Sequence, residues 1–193
     1  MTVFNANSPR VHAIEIARQV VSAKPVYLDT ETTGLDRSSE IVEISIVDDS
    51  GEVLFESLVK PTRPIPADAM RIHGITNEVC ASAPTWPVIW PQVRSHLFGR
   101  LVVIYNEDYD IRLMQQSHAR YRLPWKDKFN TFDLLKLYAE FRGEWDSYRR
   151  SYRYHSLAAA GQHCHIQLPN SHRSTADTLL TRAVLHHIAS CQP

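Results

Sequence analysis

Three strand-like runs follow one another early in the chain, and from residue 101 onward strand-like runs alternate with helical ones. That order constrains the fold more than any other feature. Pro25-Val26-Tyr27-Leu28 reads as a buried strand that runs into Asp29. Ile41 to Val47 is a second, β-branched strand, and Asp49-Ser50-Gly51 turns it into a third, Val53 to Val59, as a hairpin. Leu101 to Tyr105 then gives a strand followed by a helix over Tyr109 to Tyr121, and Phe129–Thr131 a short strand leading into a helix over Phe132 to Phe141. An antiparallel set followed by βα alternation predicts an α/β protein with a mixed sheet and helices on its faces.

The remaining elements fit around that sheet. Ile14, Ala17, Val20 and Val21 recur at helical spacing, which predicts a first helix over 11–23. Lys60 to Pro66 is a proline-rich, extended connection, and Thr85 to Leu97 is helical with a late start or a kink imposed by Pro87 and Pro91. Residues 142–154 read as a polar loop, and Ser156–Gln162 and Thr175–Ser190 as closing helices. At 193 residues, with no repeat or linker, the chain is expected to form one domain over 1–193, with its motifs in a core of about 24–190.

Composition excludes several classes. A 44% hydrophobic and 22% charged chain is that of a globular protein, and no run is long enough to cross a bilayer. Met1-Thr2-Val3-Phe4-Asn5 lacks the basic and apolar regions of a secretion signal, so cytoplasmic residence is expected. Cys80, Cys164 and Cys191 are widely separated and suggest no disulfide framework, and His163-Cys164-His165 lacks the second half of a zinc site. The net charge of zero hides a segregation: residues 1–111 carry 9 basic and 15 acidic side chains, residues 112–155 carry 10 and 5, and residues 156–193 carry 2 and 1. An acidic part beside a basic one suits a protein that gathers metal ions at one place and phosphates next to it.

Asp29 and Glu31 stand two residues apart at the end of the first strand, where positions i and i+2 share a face, so both carboxylates reach one point. A turn at Thr32-Thr33-Gly34 is the competing explanation for those acids. Asp110 follows the fourth strand in the first turn of a helix for which Asp108 is a ready N-cap. Ser174 and Asp177 have capping-box spacing, and His172 lies just upstream. Each has an ordinary structural explanation alone. Together, four acids and a histidine are what a two-metal phosphodiesterase requires, because so many close carboxylates cannot all ionise without divalent cations. Hard oxygen donors point to Mg²⁺ or Mn²⁺.

At these residues the chain resembles the DEDDh branch of the 3′–5′ exonucleases, close to the epsilon-type proofreading exonucleases of bacteria. The matching stretches are LDTETTGLD (28–36), HGIT (73–76), YNEDYD (105–110) and HRSTAD (172–177). Tyr105 and Tyr109 depart from the family, which has His or Gly at the first and Phe at the second. The resemblance implies a ribonuclease-H-like fold with a five-stranded mixed sheet. It implies two divalent cations on Asp29, Glu31, Asp110 and Asp177, and His172 as the base that deprotonates the attacking water. It further implies that Thr32, Thr33, Gly34, Leu35, His73, Ile75 and Asn106 bind the terminal nucleotide of a single-stranded nucleic acid, with backbone N–H groups near its 3′-OH and Leu35 against a base. DNA is the favoured substrate. An exoribonuclease acting on RNA 3′ ends shares every catalytic residue, and a polymerase-associated binding subunit with a vestigial nuclease is opposed by the intact acids. With no tail beyond Ser190 of the kind that tethers a proofreading subunit, a stand-alone enzyme is expected.

One segment stands outside these motifs. Tyr148-Arg149-Arg150-Ser151-Tyr152-Arg153-Tyr154 interleaves three tyrosines with three arginines in the most basic stretch of the chain. It reads either as a surface that stacks bases and pairs phosphates, or as a solvated loop whose tyrosines pack on the domain edge.

Overall fold

A computed structural model describes residues 8–168 and 171–192; the amino-terminal segment read above for a secretion signal lies outside them. Five strands form one mixed sheet in the order β3-β2-β1-β4-β5. They are β1 (Val26–Thr32), β2 (Ile41–Asp48), β3 (Val53–Leu58), β4 (Leu101–Ile104) and β5 (Asn130–Asp133). β1 pairs antiparallel with β2 and parallel with β4, so it lies at the centre of the sheet.

Helices cover both faces, as the element order predicts. On one face Tyr27 and Val103 pack against α1 (Pro9–Ser22), α6 (Leu134–Arg142), α7 (Leu157–His163) and α8 (Ser174–Ser190). On the other, Val26, Leu28, Ile44, Ile46, Val102 and Ile104 pack against α4 (Trp86–Leu97) and α5 (Glu107–Arg120). Burying each such aliphatic side chain contributes about 1.5–3 kcal/mol, so the alternation along β1 fixes which side chains face which layer. Tyr27, Asp29 and Glu31 therefore share the face covered by α8.

The structure differs from the expectations in four places. α4 begins on time at Trp86, because Pro87 falls in the first turn, where a missing N–H costs nothing; Pro91 sits inside the helix. The short helices α2 (Ala67–His73) and α3 (Asn77–Cys80) were not legible, since neither is long enough to show a period. Phe132 belongs to β5, and Asp133 caps α6 by accepting the Leu135 N–H at 3.0 Å. Residues 142–154 are not a structureless loop: β6 (Trp145–Asp146) and β7 (Ser151–Tyr152) form a small hairpin of their own. Among the described residues, no helix is long and apolar enough to cross a membrane.

Candidate active site

In the β1–β2 pair, Asp29 stands opposite Ser45 and Glu31 opposite Glu43. Like charges directly across a ladder repel, so each carboxylate needs its own compensation. Glu43 has it. Buried to 1% exposure, it accepts hydrogen bonds from Arg173 Nε to both its oxygens (3.0 and 3.1 Å) and from the Ser174 N–H (2.8 Å). Burial alone would raise the Glu43 pKa, but these donors outweigh it and hold the carboxylate below its ordinary value. The Thr175 hydroxyl adds a bond to Ser45 Oγ at 3.0 Å. The first turn of α8 is thus docked on β2 by side chains of β2 itself.

That docking corrects the reading of the helix start. Arg173, not Ser174, is the cap residue, and Ser174 gives its amide to Glu43, so no capping box forms. Asp177 is buried and belongs to the acid cluster instead. Glu43 was overlooked in the sequence. Its signal was there: a single acid inside the β-branched run Ile41–Val47 is costly unless paired.

Ligand atoms of Glu31, His172 and Asp177 lie within 4.8 Å of one another. Asp29 and Asp110 stand outside that trio but are electrostatically joined to it. Burial and then the charges of Asp110, Glu31, Asp177 and Glu43 raise the Asp29 carboxyl well above its usual value. Burial and then Asp177 raise Glu31 to about 8. Asp110, on α5, is pushed up to about 7 by burial, against the pull of the Thr30 hydroxyl, which donates to it at 2.7 Å. Asp108 is not the cap of α5. Asn106 holds that position with φ 72°, a left-handed conformation that asparagine tolerates.

Three carboxyls that bind protons more tightly folded than unfolded make stability depend on pH. Their stabilising contribution is full below the ordinary carboxylate range and is lost as pH rises through about 7 and 8. With chelator present, Tm is expected to fall as pH is raised from about 5 to about 9, and Mg²⁺ or Mn²⁺ should restore it at the upper end. A chelated Glu31→Gln variant should show a shallower fall. Identical pH curves for both proteins would contradict the coupling.

Beside the acids, a cavity of about 540 Å³ is lined by Thr30–Asp36, Tyr109 and α2 residues including His73. The turn at its mouth is held from both ends. Thr33 gives its N–H to the Glu40 carbonyl and accepts the Glu40 N–H on its hydroxyl, each at 2.9 Å. Gly34 has φ 154°, and a Cβ there would come within 3.2 Å of Ser39 Oγ. Leu35 is 80% exposed, so ordinary packing does not account for it. The Tyr109 hydroxyl donates to the Gly34 carbonyl (2.9 Å) and lies 2.7 Å from the Thr32 hydroxyl. The departure from phenylalanine at this position therefore has a structural use. Tyr109→Phe should raise KM about fivefold, the worth of one lost hydrogen bond, with little change in kcat; equal KM values in steady-state assays would show that the turn holds without it.

The other expected binding residues divide. His73 ends α2, is 4% exposed, and accepts the Ile75 N–H on Nδ1 at 3.0 Å. Burial lowers the His73 pKa, and the Thr32 backbone carbonyl beside the ring acts in the opposite direction. Ile75 does not line the cavity; its side chain is buried with Val42, Ile65 and Cys80, and its amide orients His73. Asn106 is exposed at the end of β4 and also lies outside the cavity lining.

A ribonuclease-H-like sheet with this cluster at its centre defines the class as the exonucleases of that fold, and comparison with known proteins agrees. A family model described as an RNase T exonuclease matches residues 26–185, and the chain belongs to that family. It is 42% identical over 171 residues to an uncharacterized exonuclease of Escherichia phage 186, covering 85% of this chain and 87% of that one. It is 30% identical over 110 residues to the DNA polymerase III subunit epsilon of Pasteurella multocida, covering 52% of this chain and only 44% of that subunit. Among solved structures, exonuclease X in complex with 5′ overhanging duplex DNA superposes with a TM-score of 0.64 at 28% identity, covering 84% of this chain and 89% of that one.

Proposed function

We propose that this exonuclease removes nucleotides one at a time from the 3′ end of a single-stranded nucleic acid, DNA in preference to RNA. The observation that carries the proposal is the convergence of Asp29, Glu31, Asp110 and Asp177, with His172 in reach, beside a cavity large enough for one nucleotide. Four hard carboxylate donors, three of them with raised pKa values, fit divalent cations, two of them and Mg²⁺ or Mn²⁺, which would neutralise the cluster and lower the pKa of water. His172 takes the proton of the attacking water, and the product leaves as a nucleoside 5′-monophosphate. Thr33 has its amide committed to Glu40, so the backbone grip on the 3′-OH falls to Gly34 and Leu35. Leu35 meets the base, and His73 lines the cavity on its α2 side. The motif-bearing core, residues 24–190, acts as one catalytic unit.

Preference for DNA is supported by exonuclease X, whose structure holds duplex DNA. The test is degradation of 5′-labelled DNA and RNA of one sequence, with Mg²⁺ and with chelator. A ladder shortening from the 3′ end, faster for DNA and absent with chelator, is expected. Faster loss of RNA would make the enzyme an exoribonuclease, and no cleavage of either would leave a binding subunit.

A further inference from the structure

We propose that the β6–β7 hairpin is a platform that stacks the bases and pairs the phosphates of single-stranded nucleic acid beyond the catalytic cavity. The inference rests on the function proposed above and adds a binding surface to it. Tyr148 is 96% exposed, Trp145 57% and Tyr154 56%. Arg149, Arg150 and Arg153 are exposed on the same segment, and none of their guanidinium groups forms an ion pair among the described residues. Packing on the domain edge therefore accounts only for Tyr152, which is half-buried against Trp145.

This surface is held in a fixed shape. Trp145 and Tyr152 meet edge to face with centroids 5.2 Å apart. Asp146 Oδ1 accepts the N–H groups of both Tyr148 and Arg149 at 3.0 Å, closing the turn, and the Arg153 N–H donates to the Glu144 carbonyl at 2.8 Å. A turn whose backbone is already ordered loses little entropy when a base stacks on the rings it carries.

Its position follows from the register of the sheet. Tyr27 pairs with Val103 and Leu28 with Ile104, so the next residue, Tyr105, comes level with Asp29 on the neighbouring strand. Tyr105 packs in the same core as Tyr27 and Val103, which places it on the face that carries Asp29 and Glu31. Its hydroxyl donates to the carbonyl of His155 at 2.8 Å. The chain leaving the hairpin is thus fastened, through one tyrosine side chain, to the strand end beside the acids. The second departure from the family pattern is what fastens it.

Three exposed guanidinium groups, of which Arg149 and Arg153 feel Asp146 and Glu144 without closing an ion pair on them, make the patch a poor seat for an apolar protein partner. A strand of bases and phosphates satisfies both its aromatic faces and its charges.

The test compares kcat/KM for single-stranded DNA of about 16 and about 4 nucleotides, the range such modules cover. Tyr148→Ala should lower the long-to-short ratio at least about fivefold, from the loss of one stacked base, whereas Tyr148→Phe should keep it. Replacing Arg149, Arg150 and Arg153 by Ala should lower the ratio further and flatten its dependence on salt. An unchanged ratio in both the Tyr148→Ala and the triple variant overturns the platform. If the wild-type protein cleaves neither length, the proposed function fails. Fluorescence anisotropy of the longer oligonucleotide in chelator then decides the platform alone: weaker binding by the variants supports it, and equal binding overturns it.

Discussion

Asp29→Asn is expected to lower hydrolysis by about three orders of magnitude or more, the scale on which loss of one preorganised electrostatic element is felt. Asp29 lies on the central strand of the sheet, and its carboxyl is pushed up by burial first and then by Asp110, Glu31, Asp177 and Glu43. The resemblance to the 3′–5′ exonucleases implies that it would hold both cations. The same variant should not unfold. Asparagine fills the same space and cannot ionise, so as pH is raised in chelator the metal-free variant should lose less Tm than the wild type, by about 3 °C for each kcal/mol of repulsion avoided. The stabilisation by Mg²⁺ or Mn²⁺ should shrink in parallel. Two measurements check this, oligonucleotide hydrolysis and Tm with and without the cation. Activity within a few-fold of wild type would remove Asp29 from the metal site.

The elements that carried this site were legible because they obey simple periods. The buried run into Asp29, the β-branched run Ile41–Val47 and the strand Leu101–Tyr105 could only be strands, and their order allowed one kind of sheet. The acids were legible because their spacing on strand and helix ends has few other uses. What escaped was set by contacts distant in sequence. Glu43 and Arg173 are separated by 130 residues, and nothing local announces that one docks the other. Ser174 and Asp177 have capping-box spacing, yet Glu43 takes the amide that the box would have used. His73 owes its place to α2, too short to show a period, and Ile75, two residues on, turns its side chain into the core and away from the cavity that His73 lines. Tyr105 and Tyr109 looked like local exceptions until their hydroxyls were seen to reach His155 and Gly34. Periodicity reports which face a residue takes, and says little about what it meets there.

His172→Ala is expected to lower turnover by about two to four orders of magnitude, the usual scale for a positioned general base. His172 has φ 50°, in the left-handed region that histidine enters more readily than most residues, and its ring needs a constraint to be held in place. The next residue supplies that constraint: Arg173 is fixed to buried Glu43, and the helix that starts there brings Asp177 into the cluster. The imidazole is thereby held within 4.8 Å of the ligand atoms of Glu31 and Asp177 while remaining exposed, as a group that must exchange protons with water should be. The same proximity would suit a metal ligand, and the two roles separate cleanly. A base can be lost without loss of the cation, so the Mn²⁺ affinity of His172→Ala should match that of the wild type, and added imidazole should recover part of the turnover. A collapse of Mn²⁺ affinity without rescue by imidazole would make His172 a ligand, and the proton of the attacking water would then have to leave by another route.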